Sequence, residues 1–387
     1  MSGHRAYLDY NASAPLLADA RAAMLAALDL CANPSSVHAE GRNARRVVEE
    51  ARRDVAALVN TRPEHVVFTS GATEAASTLL TPEWRMGRGD IRMSRLYVSA
   101  ADHPCLLNGG RFAPERVMRI GVDANGICDL TALQLALAAH DRDEGLPLVA
   151  MHLANNETGV IQPVREISAI VKAAGGTFVL DAVQAAGRMP LDLAGGLADY
   201  LILSAHKMGG PAGVGAFVAA SDLMMPKPLV TGGGQEKGHR AGTENLAGIA
   251  GFGAAARIAR ETIARRDDIK AMRDRIEATI LALAPEVEIF GHGAPRLANT
   301  IFFAIPGLKA ETAQIGFDLA GVAVSAGSAC SSGRVGPSHV LKAMGRDGEG
   351  GLRVSIGDRT TSKDIEFFAA ALSGILARRA SGTTRAA

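Results

Sequence analysis

The chain has 387 residues, 48% of them apolar, and its 41 Lys and Arg nearly balance 40 Asp and Glu for a formal charge of +1. That length buries a large core and leaves room for a second, smaller one, while the even charge excludes a nucleic-acid or anionic membrane surface as the main partner. No apolar run approaches the roughly 18 residues of a membrane span, and the opening MSGHRAYLDY turns polar at once, so a cytoplasmic protein acting on a small molecule is expected.

In chain order, Val47, Val48, Ala51, Val55, Leu58 and Val59 recur at helical spacing and predict an amphipathic helix over about 37–59. Short apolar runs follow at Val66 to Phe68, Leu96 to Val98, Leu148 to His152, Phe178 to Leu180, Tyr200 to Leu203 and Gly215 to Val218, several separated by helical patterns. Strands alternating with helices predict an α/β domain around a mostly parallel sheet. A helical stretch from about Ala247 to Leu283 then leads to a different rhythm, in which EVEIF, NTIFFAI and GVAVS read as strands of a smaller α+β domain, and the last ten residues read as a frayed tail.

The chemistry-bearing residues fall just past the predicted strands, where open α/β sheets bind ligands. After HVVF, the turn Thr69-Ser70-Gly71-Ala72-Thr73-Glu74 opens a helix whose free amides suit a phosphate, although the same letters make an ordinary cap. His103 follows RLYVS, Asn156 lies in HLANNETG, and Asp181 ends FVLD with Gln184 three residues on. Ser204, His206 and Lys207 stand between two strands before a glycine-rich turn, and desolvation there would make the lysine a better nucleophilic amine. A lysine for an aldehyde, an acid for a pyridine nitrogen and donors for a phosphate together match the needs of pyridoxal phosphate.

The four cysteines Cys31, Cys105, Cys128 and Cys330 lie far apart, with no C-x-x-C pair to hold a metal or announce a disulfide framework. The first three read as inert packing. Cys330 differs, because Gly327, Ser328, Ser331, Ser332 and Gly333 surround it with the small residues of a flexible loop.

DYNASAP, NPSSVHAEGR, SGATEA, NNETGVIQP, DAVQAAG, SAHKMGGPAGVGA, GGGQEKGHRAGTEN, SAGSACSSG and LRVSIG occur in this order across nearly the whole length. In these motifs the chain resembles the cysteine desulfurases of the NifS and IscS type. The resemblance implies a fold-type I pyridoxal-phosphate homodimer related to class V aminotransferases, with a seven-stranded sheet in a large domain over 15–260. Residues 1–14 and 261–387 would form the small domain that carries the cysteine loop.

The resemblance also implies roles. Lys207 would be the Schiff-base lysine, Asp181 would meet the ring nitrogen, and His103 would stack on the ring and move protons. Gln184 and Asn156 would lie near the ring oxygen, with Ala72, Thr73, Ser204 and His206 on the phosphate and Thr243 reaching it from the other subunit. Arg353 would grip the substrate carboxylate, with Asn33 and Asn156 in the same neighbourhood. Cys330 would take the sulfur of L-cysteine as a persulfide, releasing L-alanine, and pass it to an acceptor such as an iron-sulfur scaffold or a thiolation pathway.

Two departures from the family pattern are expected to shift details of the pocket: Ala75-Ala76-Ser77 stands where Asn-Asn is common, and Ser13-Ala14 where threonines are usual. Selenocysteine lyase, cysteine sulfinate desulfinase, a plain aminotransferase and a silent sulfur-relay scaffold stay open as alternatives.

Overall fold

A computed structural model of the chain describes residues 4–30, 32–327, 337–346 and 350–384, with side chains as far as Arg379. Cys31 and Cys330 lie outside these residues, as does the rest of 328–336. The main sheet has nine strands. Five neighbours run parallel: Val117–Ile120, Gly89–Ser99, Leu146–His152, Thr177–Asp181 and Tyr200–Ser204. Gly215–Ala219 joins antiparallel, and Val66–Thr69 pairs antiparallel with it, which turns the end of Val66–Thr69 back to the same edge as the parallel strands.

Six of those seven strands are the predicted apolar runs, and Val117–Ile120, which the sequence reading did not single out, brings the number to the seven that the resemblance implied. The other two, Glu83–Met86 and Met224–Pro226, extend it antiparallel beyond the start of the long strand Gly89–Ser99. EWRM gives little apolar signal, because Trp84 alone anchors it. That indole is wholly buried, packs edge-on to Tyr200 at 5.1 Å between ring centres and donates Nε1–H to the Thr81 carbonyl at 2.9 Å.

The central strands are buried almost throughout and apolar along their middles, because both faces are covered. Leu96, Val98, Leu148, Ala150, Val179, Tyr200, Ile202 and Phe217 pack on one side with Ala75, Ala76 and Leu79 of the helix Ala72–Leu79. The alanines that depart from the family pattern therefore lie against the sheet, where both are fully buried. On the other side Tyr97, Val149, Met151, Phe178, Leu180, Leu201 and Leu203 meet the helices Ala39–Leu58 and Leu246–Thr262. These two helices approach closely, since a Cβ at Gly253 would stand 2.5 Å from the Ala51 Cα.

The predicted helix over Ala247 to Leu283 is two helices, Leu246–Thr262 and Arg266–Leu283, joined by a 3-10 turn over Ile263–Arg265. Beyond it, Glu288–Ile289, Thr300–Ala304, Leu352–Ser355 and Ser325–Ala326 form an antiparallel sheet in that order. The N-terminal strand Ala6–Tyr7 pairs parallel with Val322–Ala323, so Ala6 and Leu8 enter the second core with Ile276, Ile280, Phe303, Phe317 and Phe368. The final helix Ser362–Thr384 runs through most of the expected frayed tail, because ALSGILARRA supplies good helix formers almost without a break.

One clamp joins distant segments of the large core. Arg52 donates from both terminal nitrogens to Glu236, at 2.8 and 2.7 Å, and also to the Val66 carbonyl. Glu236 further accepts from the Phe68 amide at 2.8 Å. Glu236 and Lys237 hold left-handed backbone at φ 47° and 56°, a conformation that persists in non-glycine residues only where surroundings over-determine it. Both side chains of the pair are nearly solvent-free. Glu236→Ala will therefore cost about 3–5 kcal/mol, read as a lowered urea midpoint, because it leaves the buried guanidinium only the Val66 carbonyl and the more exposed Glu49 carboxylate at 3.4 Å.

Candidate active site

A cavity of about 490 Å³ opens at the carboxyl edge of the parallel strands, lined by His103, Asn156, Asp181, Gln184, Ser204, His206, Lys207, Ala72, Thr73 and Arg353. Each comes from a different local device. Thr73 lies in the first turn of Ala72–Leu79, which begins directly after Gly71. Gly215 permits that turn to lie on the sheet, since a Cβ there would sit 2.6 Å from the Leu203 carbonyl and 2.7 Å from the Gly71 Cα. The same turn carries Glu74, whose carboxylate accepts from the Ser70 amide at 2.8 Å and from Arg240 Nε at 3.0 Å.

Asp181 closes its strand, where Oδ1 accepts from the Val183 amide at 2.9 Å and so also caps the following turn. Burial pushes its carboxyl up to about 6, with the charge of Asp102 adding to the rise. Ser204 ends the next strand, and a 3-10 turn over Ala205–Lys207 swings His206 and Lys207 to the cavity. The Lys207 amine donates to the carbonyls of Asn11 and Ala12 at 2.7 and 2.9 Å. His103 caps the short helix Pro104–Leu107 by accepting the Cys105 amide on Nδ1 at 3.2 Å, which leaves Nε2 as its other ring nitrogen. Burial, then Lys207 and His339, push His103 down to about 4; burial and Lys207 do the same to His206.

These three shifts fix a pH dependence. Each histidine has its folded value below its ordinary 6.5, so its contribution to stability falls as pH drops from 6.5 toward 4. Asp181 acts oppositely, because a raised folded value favours the folded state as pH falls from about 6 toward its ordinary 3.8. At pH 5 two histidines outweigh one acid, and unfolding takes up about one net proton from the three groups. The cofactor-free protein will lose stability across that window, and a His103→Asn/His206→Asn variant will lose it less steeply in urea titrations at pH 7 and pH 5.

Arg353 lies in the strand Leu352–Ser355 and is almost wholly buried. It donates to Asp9 Oδ1 at 2.8 Å, to Ser325 Oγ at 3.1 Å and to the Asn156 carbonyl at 2.9 Å, while Nε finds no partner among the described residues. Gln184 donates to the Asn11 carbonyl at 3.0 Å and accepts from Arg188.

The two remaining described candidates lie elsewhere. Asn33 is exposed and accepts the Ser35 amide at 2.9 Å, which makes it a turn residue ahead of the helix Ala39–Leu58. Thr243 is exposed outside the cavity of its own chain, and Cys330 falls outside the described residues.

Sequence reading missed the residue that joins the set. Asn11 links through its side chain to Thr300, Asn299, Arg188 and the Asn156 carbonyl, while its own carbonyl takes Gln184 and Lys207. DYNASAP was a visible motif, but nothing local tied Asn11 to a lysine 196 residues away. Cys105, expected to be inert packing, is half-buried and lines the cavity beside His103. Cys128 behaves as expected, with its thiol pushed up to about 12 by burial.

The model of the family described as Aminotransferase class-V matches residues 6–368. The chain belongs to the class-V aminotransferase family. A cysteine desulfurase of Frankia sp. is 40% identical over 380 residues, covering 93% of this chain and 88% of that protein. Among solved structures, a NifS-like protein from Rickettsia africae superposes on this class-V member with a TM-score of 0.85 at 31% identity, over 96% of this chain and 99% of that one. The protein SspA in complex with cysteine gives a TM-score of 0.72 at 26% identity, over 91% of this chain and 99% of that one. The resemblance read from the motifs thus holds over the length of this class-V protein.

Proposed function

We propose that the protein is a cysteine desulfurase that works with pyridoxal phosphate as a homodimer, turning L-cysteine into L-alanine and a persulfide on Cys330. The observation that carries this reading is the meeting of Lys207, Asp181, His103, Ser204 and His206 in one cavity at the strand ends. The donor set fits the cofactor. A primary amine that donates to two backbone carbonyls suits an aldehyde, a buried carboxyl raised to about 6 suits a protonated ring nitrogen, and the Gly71–Thr73 turn with Ser204 and His206 suits a phosphate.

When bound, the cofactor supplies a sink for the electron pair released at the substrate α-carbon. The chain's own residues would do the rest. Asp181 would keep the proton on the ring nitrogen, His103 would lie against the ring, and Thr243 of the partner subunit would add a donor to the phosphate. Arg353, fixed by Asp9 and Ser325, would present its planar guanidinium to the substrate carboxylate. The Cys330 thiolate would attack the substrate sulfur, so that an S–S bond forms as the C–S bond breaks, and the electron pair leaves with carbon, which takes a proton to give alanine.

His103, neutral at pH 7 by its low proton affinity, can take the thiol proton only briefly and hand it to the departing product. The two sheets with their separate cores suggest a large domain over 15–260, with residues 1–14 and 261–387 as the small one. A cytoplasmic location is the reading adopted, and among the described residues no helix is long and apolar enough to cross a membrane. An iron-sulfur scaffold or a thiolation pathway would receive the sulfur. Alanine release from L-cysteine, compared with selenocysteine and cysteine sulfinate, tests the reading: preference for either competitor, or stoichiometric transamination of a 2-oxo acid, would overturn it.

A further inference from the structure

Behind Asp181 lies a buried chain of polar groups that the reaction above does not use. His152 and Asp181 are register partners on neighbouring parallel strands, so their side chains stand on one face of the sheet. His152 Nδ1 lies 2.5 Å from Asp102 Oδ1, and its Nε2 lies 3.2 Å from Gln162 Nε2. Asp102, His152 and Gln162 are all buried.

We propose that Gln162 is a positioning residue for Asp181: it fixes His152 as the neutral imidazole with its proton on Nδ1, so that no positive charge stands beside the acid. The inference rests on the reading of Asp181 as the group that meets the ring nitrogen. Its warrant is the orientation of the Gln162 amide. Gln162 Oε1 accepts the Cys128 amide at 2.9 Å, and Nε2 donates to the Gly126 carbonyl at 2.8 Å. A flipped amide would set oxygen against oxygen and N–H against N–H, losing both bonds.

The second Nε2 hydrogen therefore points at His152 Nε2. Two donors cannot share a hydrogen bond, so His152 Nε2 offers its lone pair and the ring proton sits on Nδ1, donated to Asp102. Asp102 also accepts the amides of His152 at 2.8 Å and Ser99 at 2.7 Å, three N–H donors in all, as suits an ionised carboxyl.

The groups that act electrostatically on Asp181 are then Asp102, His152 and Lys207. With His152 neutral, Asp102 is uncompensated from that side and Asp181 keeps a high affinity for protons. A ring nitrogen docked there would feel the same negative field. An imidazolium at His152 would quench it.

Nitrogen NMR of the cofactor-free protein with labelled histidine, together with carbon NMR of labelled aspartate, tests this directly. Wild type will show His152 protonated on Nδ1 and bare on Nε2. In Gln162→Glu the new carboxylate will draw a proton onto Nε2, and the Asp181 titration midpoint will fall by about 1 unit or more. Asp102→Asn, which removes the charge and keeps one acceptor oxygen for one of the two backbone amides, will lower the same midpoint should Gln162→Glu fold poorly. A wild-type His152 protonated on Nε2, or an Asp181 midpoint unmoved in both variants, would overturn the proposal. Failure of the wild-type protein to bind pyridoxal phosphate would instead count against the functional reading alone, since no NMR measurement here involves the cofactor.

Discussion

Lys207→Ala will abolish the near-visible absorbance that the wild-type protein gains with pyridoxal phosphate, and alanine formation from L-cysteine will fall by roughly 10³-fold or more, about 4 kcal/mol of transition-state stabilisation. The size follows from position. Lys207 is the cavity's lysine, and it stands at a strand end where Asn11 and Ala12 carbonyls aim the amine. An added primary amine will restore part of the rate without restoring the covalent absorbance. Lys207→Arg will not rescue, because a guanidinium stays protonated and does not condense with an aldehyde.

Cys330→Ala will leave that absorbance intact and L-cysteine binding within about twofold, yet turnover will drop by roughly 10²- to 10³-fold, or about 3–4 kcal/mol. The split separates a thiol that acts only as the C–S bond breaks from one that helps hold substrate. Cys330→Ser will behave like the alanine variant, since a hydroxyl is a poor nucleophile toward sulfur. Cys105→Ala offers the contrast. That thiol lines the cavity from the helix Pro104–Leu107, and its removal will leave the rate within about threefold of wild type if Cys330 alone receives sulfur.

What the sequence revealed was what is local. Strand ends carry their chemistry within a few letters, which is why Asp181, Lys207, His103 and Ser204 were legible as a set and why the structure gathers them at one edge. The alternation of strands and helices likewise fixed the central sheet. Partners set by tertiary contact left no trace in spacing. Arg353 looks like any strand arginine until Asp9, 344 residues away, is found against it. Glu236 gave no turn signal, because the left-handed backbone it adopts is usually glycine's and its carboxylate is held out of solvent by Arg52 and the Phe68 amide, both distant in sequence. The amide of Gln162 acquires meaning only once Gly126, Cys128 and His152 surround it. Trp84 showed the reverse case, a single large residue holding a strand that composition would not support.

Sulfur capture by Cys330 is the central claim, and the mass of the Cys330 peptide after brief incubation of the loaded protein with L-cysteine tests it most directly. The account predicts one added sulfur on that peptide, formed in step with one alanine per active site and removed by a thiol reductant. Alanine released with the added sulfur on Cys105, or on no cysteine at all, would contradict it.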